Sequence, residues 1–433
     1  MTTQPRQTSS AADSSLNMSS LFMDFRLLLI LFIGFRLMLG MVFQPLLLES
    51  SGERGMTVGG DLFYYYSLAQ FTDDGNYPFR EWWSEFPPVW SWLNALTYQA
   101  LGAGANFTSW TIAMAFVMLA CDVGNLWLMR AIGTRLHGAS TGMALAWVYA
   151  LLLVPVVFAW WNFEVMVTFT LLLSLWWLLT GKETRSALMA GFGALIKFTP
   201  ALILGAVFRF RPLQNAVRYA VIVVGVFLSV YAVLYITSPD NQMVTVSLTA
   251  QFNKASYQSV WALLDGNLGT GNFAAPGVDM VGVHYDANGA TQMYGNPAVI
   301  PGWLRLIAAG LIGLFVFVRT RRFDDKGLVA FVGITLLIFF LQAQGWSPQW
   351  LTQILPLILL TFPNRNGVLI CVLLSGLIFA EYPFLFIRTG DTETPGIISG
   401  ALLTPYITLV LLRTLLLVAV AVAFYRKLRQ EAV

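Results

Sequence analysis

Asp61 stands in the run Gly-Gly-Asp-Leu-Phe-Tyr-Tyr-Tyr (59–66), a short step past the first long apolar stretch. A carboxylate held there at a membrane surface can take the proton of a hydroxyl as its oxygen forms a new bond, which transfer of a sugar to an alcohol requires. Locally, an ordinary solvated loop aspartate reads the same way. The stretch 77–90 (Tyr-Pro-Phe-Arg-Glu-Trp-Trp-Ser-Glu-Phe-Pro-Pro-Val-Trp) sets Arg80, Glu81 and Glu85 among aromatic rings. Such charges are costly there unless they face a polar cavity, although rings of this kind also serve as interfacial anchors. In Ala-Leu-Ile-Lys-Phe-Thr-Pro (194–200), Lys197 falls inside an apolar region, where an ionisable side chain suggests a functional site by default. From Gly181 to Lys197 is about 24 Å of helix, enough to bring the ammonium to the outer interface and to a lipid phosphate. A lysine that only snorkels is the alternative. Asn162 and Glu164 occupy a very short turn between two apolar runs, where Glu164 is either a second acid or a helix N-terminal residue favoured by the dipole. Lys254, in a later polar stretch, is a further cation for an anionic leaving group.

The elements that must position these groups are membrane helices. Of 433 residues 57% are hydrophobic and 11% charged, and an average soluble domain carries roughly 25% charge. Apolar runs long enough for a ~30 Å hydrocarbon core recur along the chain and do not alternate as barrel strands do. The fold class is therefore all-α and polytopic. Spans are expected near 21–44, 108–130, 140–161, 164–181, 214–237, 302–319, 327–344, 349–362, 367–387 and 401–425, with a broken pair over 186–208.

Basic residues fix the orientation. With both termini cytoplasmic, Arg130, Arg135, Lys182, Arg185, Arg209, Arg211, Arg319, Arg321, Arg322 and Lys326 all fall inside, and most acids, including Glu49 and Glu53, fall outside. That solution requires residues 89–103 to lie on the membrane as a juxtamembrane helix, and 186–208 to enter and return, turning near Lys197–Pro200. Two long extracytoplasmic loops result, 45–107 and 238–301. The chain divides into a disordered cytoplasmic tail (1–20), one transmembrane domain (21–425) and a short cytoplasmic tail (426–433). The setting is an integral, multi-pass membrane protein, expected in a bacterial cytoplasmic membrane.

Cys121 and Cys371 lie in apolar runs as packing residues, and with His137 and His284 the only histidines, no metal site is expected. Asp73 and Asp74, beside Gly75, read as solvated turn residues. Arg36 and Asp122 sit at comparable depths in neighbouring spans and suit a structural ion pair; Arg413 finds no partner from sequence.

An aspartate after the first helix, an aromatic stretch ending in Glu-Phe-Pro-Pro (85–88), an acid between the third and fourth helices and a Lys-Phe-Thr-Pro break (197–200) together resemble the GT-C superfamily of integral membrane glycosyltransferases. The likeness is nearest to glycosyltransferase family 87, with its polyprenol-phosphate-mannose-dependent mannosyltransferases. It is clearest over residues 21–211 and thinner later, at 261–267 and at Gly-Trp-Ser-Pro-Gln-Trp (345–350). The resemblance implies a GT-C fold with amphipathic loop helices over an outer cavity, a polyprenyl-phosphate sugar donor (mannose or another hexose), and Asp61 as general base. It also implies that Lys197 contacts the lipid phosphate. The turn matching Glu164 often carries an aspartate in the family, and Asp61 is followed by aromatics rather than a second acid. No metal or other cofactor is expected, and no nucleic acid partner.

These readings give direct displacement at an anomeric carbon with inversion, onto a lipid or glycan acceptor. Arg80 and Lys254 would assist Lys197 at the phosphate, with Glu81, Glu85, Glu164 and Asn162 as further substrate contacts. A lipid or solute transporter is the rival, but the chain shows no internal repeat and few polar residues at mid-membrane depth. The topology is open to cysteine accessibility labelling. Positions near Arg135 and Arg322 should be protected from outside reagents while those near Asp74 and Asp286 react; outside labelling near Arg135 would mean that 89–103 spans the membrane.

Overall fold

A computed structural model describes residues 18–43, 60–160, 162–239, 241–250, 254–270, 279–292, 294–386 and 396–431. The expected tail 1–17, Glu49, Glu53 and the stretch 44–59 leading to Asp61 lie outside them. The described chain is all-α, with only isolated bridges in place of strands. Six helices are long and apolar enough to cross a membrane, and shorter apolar helices fill in between them.

The chain enters through α1 (Met18–Met23) and α2 (Phe25–Phe43), with the Asp24 carboxylate accepting from the Arg26 and Leu27 amides at the start of α2. Two helices belong to the stretch between α2 and α5, expected from sequence to be an extracytoplasmic loop: α3 (Gly60–Gln70), with Asp61 in its first turn, and α4 (Pro88–Leu101). Pro88 opens α4, where its missing N–H costs nothing. The expected juxtamembrane helix at 89–103 is α4. Asp73 is more than a solvated turn residue: its Oδ2 accepts from the Tyr98 hydroxyl at 2.6 Å and so ties the end of α3 to α4.

The long α5 (Phe107–His137) starts where Asn106 accepts from the Ser109 amide and turns tightly at Gly138, φ +91°, into α6 (Ala139–Leu151). The single span expected over 140–161 is broken at Leu152 into α6 and the short α7 (Leu153–Phe158). Pro155 lacks the N–H that would bond back to Leu151, so the helix cannot run through. After α8 (Glu164–Leu179), α9 (Glu183–Ala194) stops at 195–198 and resumes as a 3-10 turn (Thr199–Leu202) and α10 (Ile203–Phe210). This is the broken pair read from sequence, with Lys197 in the break.

Beyond α11 (Leu213–Thr237), the second long loop carries α12 (Asn241–Thr249) and α13 (Val260–Asp265). The remaining helices are α14 (Gly302–Arg319), α15 (Asp325–Gln342), α16 (Leu351–Thr361), α17 (Arg365–Phe379) and α18 (Leu403–Arg429). Every residue of α16 is buried, as are most of α8 and α15, so these form the centre of the bundle. By contrast α11 and α14 expose rows of Val, Leu and Ile, as surfaces solvated by lipid do.

Arg36 and Asp122 do form the expected ion pair, at 2.8 Å and with both side chains fully buried. Asp122 also accepts from the Tyr149 hydroxyl, and Arg36 donates to the Ala150 carbonyl, so α2, α5 and α6 meet at one polar knot. Arg413, unplaced by sequence, pairs with Glu381 and donates to the Gln258 carbonyl, linking α18 to the end of α17 and to the second loop. Breaking a buried pair at one partner typically costs about 3–5 kcal/mol, because the other charge is stranded. Asp122→Leu should therefore lower the unfolding midpoint in detergent sharply, and the double change Asp122→Leu with Arg36→Met should recover most of the loss. Equal midpoints for Asp122→Leu and wild type would remove the knot from the list of stabilising features.

Candidate active site

Four separated stretches of sequence converge beneath the first loop. The break after α9 exists because Pro200 cannot continue the helix and Gly193 is packed against it: a Cβ at Gly193 would stand 2.7 Å from the Pro200 ring. The break turns Lys197 toward the N-terminus of α8, where its ammonium pairs with Glu164. Glu164 is fully buried, and its second oxygen accepts from the Gln353 amide at 2.5 Å; Gln353 in turn accepts from the Thr199 hydroxyl. Phe163 and Trp350 place their rings 5.7 and 4.9 Å from the Lys197 ammonium.

A second lysine–carboxylate pair lies beside the first. Lys254, from the second long loop, pairs with Glu85 of the Glu-Phe-Pro-Pro run. Burial alone would lower the Lys254 pKa, but Glu85, Tyr257 and Asp61 outweigh it and hold the ammonium above its ordinary value. Tyr257 is seated by Gly345, where any Cβ would overlap the Tyr257 ring, and its hydroxyl lies 3.4 Å from Ser347. This is a physical reason for glycine at the head of Gly-Trp-Ser-Pro-Gln-Trp.

Both pairs line one cavity of about 550 Å³, together with Phe163, Tyr257, Trp303 and Trp350. Asp61 joins this group electrostatically: surrounding protein, then Glu85, push its carboxyl up to about 6, against the pull of Lys254. The side chain itself remains exposed. A carboxylate with its pKa near neutrality, and accessible, can accept a proton from a bound hydroxyl.

Two further contacts hold the helix that carries Asp61. Tyr64, three residues on and so on the same helical face, hydrogen-bonds His284 Nε2 at 2.5 Å. His284 Nδ1 donates to the Trp83 carbonyl at 2.6 Å, which leaves Nε2 as the acceptor from Tyr64. Burial pushes His284 below its ordinary pKa, consistent with a neutral ring. Two residues after Tyr64, the Tyr66 hydroxyl donates to the Ala105 carbonyl.

Of the residues singled out from sequence, Glu85, Glu164, Lys197 and Lys254 come together around the cavity, while Asp61 stands outside its lining and is coupled to Glu85 and Lys254 through charge. Arg80 and Glu81 do not line the cavity. They belong to a turn in which Glu81 accepts from the Tyr77 amide and Arg80 lies 3.7 Å from Glu81. Asn162 is buried and accepts from the Glu164 amide at 3.0 Å, so it orients the start of α8. Sequence reasoning passed over Gln353 and Arg305. Both carried a signal: Gln353 is an amide in an otherwise apolar run, and Arg305 is a cation at the outer end of a span, against the positive-inside bias.

No family model matches the chain, and no curated protein matches it either. Among solved structures it is similar to ArnT from Cupriavidus metallidurans bound to undecaprenyl phosphate, with a TM-score of 0.48 and 13% identity over 94% of this chain and 74% of that one. It is also similar to the Archaeoglobus fulgidus oligosaccharyltransferase in its apo form, with a TM-score of 0.42 and 11% identity over 93% of this chain and 56% of the other.

The charge arrangement has a measurable consequence. Carboxyl ¹³C NMR of aspartate-labelled protein should show one resonance titrating near pH 6 that is absent in Asp61→Asn. In Glu85→Gln it should titrate lower, because a repelling charge is gone and Lys254 is freed. The folded carboxyl holds its proton more tightly than the unfolded one, so its contribution favours the fold below about pH 4 and is lost as pH rises through 6. An unshifted midpoint in Glu85→Gln would mean that the two carboxylates do not interact.

Proposed function

We propose that this protein is a membrane glycosyltransferase that moves a sugar, mannose or another hexose, from a polyprenyl-phosphate carrier to an acceptor hydroxyl on the extracytoplasmic face. The observation that carries the reading is the single cavity in which two lysine–carboxylate pairs meet, with the accessible Asp61 carboxylate coupled to the same charges. The sequence resemblance to GT-C enzymes, and to family 87 within them, supports the same assignment. A bacterial cytoplasmic membrane suits the positive-inside pattern and the expected carrier.

In this scheme the acceptor hydroxyl lies against Asp61. Its oxygen attacks the anomeric carbon as the carbon–oxygen bond to phosphate breaks. Asp61 takes the hydroxyl proton, the bonding pair leaves on the phosphate oxygen, and the configuration inverts. Each paired lysine has three N–H donors, so Lys197 and Lys254 can hold their carboxylates and still donate to the departing phosphate. Glu164, with Asn162 and Gln353 around it, fixes the direction in which Lys197 points. Arg80 and Glu81, outside the cavity, have no part in it.

Asp61→Asn keeps the shape of the side chain and removes its basicity. With protein reconstituted in liposomes and a polyprenyl-phosphate hexose as donor, turnover should fall about 10²–10⁴-fold while donor binding survives. Asp74→Asn should behave as wild type. Retention of wild-type transfer by Asp61→Asn would refute Asp61 as the base.

A further inference from the structure

Arg305 is the cation beside the cavity that this scheme leaves unused. It stands near the outer end of α14, only 5% exposed, with its Nε buried and lacking a hydrogen-bond partner. Among the described residues no carboxylate lies within ion-pair distance of it: Asp265 acts on it only through charge at longer range, its oxygens taken by the Ser256 hydroxyl and the Val299 amide, and the Trp261 ring lies 5.4 Å from Cζ. A buried guanidinium that touches no counter-charge is expensive, so its environment is suited to receive an anion.

Arg305 lines two hollows at once, as does Gln342. One is the charged cavity, whose lining includes Trp303 and Leu306, both apolar and more than half exposed. On the glycosyltransferase reading, these two residues would offer a carrier chain its way out to the bilayer. The other lies against a different face of α14: an almost wholly apolar groove of about 400 Å³ between α14, α15 and α18, with Ala309, Ile312, Ile338 and Val422 in its walls. It begins at Arg305 and Gln342 and reaches Val316 and Tyr425. From Arg305 to Val316 is about 16 Å of helix, roughly half of a ~30 Å hydrocarbon core.

We propose that this groove is a second lipid site, holding the chain of an anionic lipid whose phosphate pairs with Arg305. On the glycosyltransferase reading, from which the role but not the site follows, that lipid is the acceptor: both reactants reach the charged centre from the membrane, on two sides of α14. The head group's phosphate satisfies the guanidinium, and its hydroxyls lie toward the cavity shared at Arg305 and Gln342.

Native mass spectrometry of delipidated, detergent-solubilised protein tests this with two probes, a polyprenyl phosphate at saturation and phosphatidylglycerol. Wild type should bind one of each. Ala309→Phe, which fills the groove, should lose phosphatidylglycerol and keep polyprenyl phosphate. Arg305→Gln should weaken phosphatidylglycerol at least tenfold and Arg305→Lys should restore most of it, while Leu311→Phe, on the lipid-exposed side of the same helix, should change nothing. If Ala309→Phe instead displaced polyprenyl phosphate, the groove would belong to the donor chain and the inference would fail. It would fail equally if phosphatidylglycerol bound alike in every variant, as an ordinary annular lipid would. Failure of wild type to bind polyprenyl phosphate at all would count against the glycosyltransferase reading, and the phosphatidylglycerol results would still decide the second site.

Discussion

A charge taken out of water must meet an opposite charge, and most of the organisation around the cavity can be traced to that requirement. Lys197 arrives from a broken helix, Glu164 from the first turn of another, Glu85 from the first loop and Lys254 from the second. None of these groups is tolerable alone at such burial. Each pair therefore acts as a fastening between segments distant in the chain, and the two fastenings line the same cavity. The cost of an unpaired ion is several kcal/mol, larger than most single packing contacts, so the pairs constrain the backbone around them.

The same rule organises the rest of the bundle. Arg36–Asp122 joins α2, α5 and α6 well away from the cavity, and Arg413–Glu381 joins α18 to the end of α17 and to Gln258. Through Gln258 the latter network also touches the strip that carries Lys254 and Tyr257. Hydrogen bonds complete the roof: His284 bridges Tyr64 and Trp83, and the Asp73 carboxylate holds Tyr98, so the helix bearing Asp61 is held by both long loops. Arg305 is the departure from the pattern, and it sits where two apolar passages meet.

Asp61 differs from its neighbours in being coupled to charges without being paired to one. Crowding by the surrounding protein raises its proton affinity most, Glu85 raises it further and Lys254 lowers it, so a neighbouring ion pair tunes how basic it is. A carboxylate fully neutralised by a lysine would be a poor proton acceptor; one left bare in water would be a weak base. The position between those limits depends on the two loops closing over α3.

Composition and charge were enough to determine an all-α membrane protein, the helix α4 and the break at Lys197, because hydrophobicity, positive charge and proline act locally along the chain. Asp61, Glu85, Glu164, Lys197 and Lys254 stood out for the same reason: each is a charge in a stretch otherwise too apolar to keep it. Pairing was legible for Arg36 and Asp122, which share a depth in adjacent spans, but not for Arg413, whose partner depends on where α17 bends. Nor could sequence separate Arg80 and Glu81, which close a turn among themselves, from Glu85 four residues on, which enters the cavity. The break of α6 at Pro155, the seat that Gly345 makes for Tyr257 and the isolation of Arg305 were decided only when the helices packed. Each depends on what occupies a neighbouring volume, and that is a property of the assembled bundle rather than of any one segment.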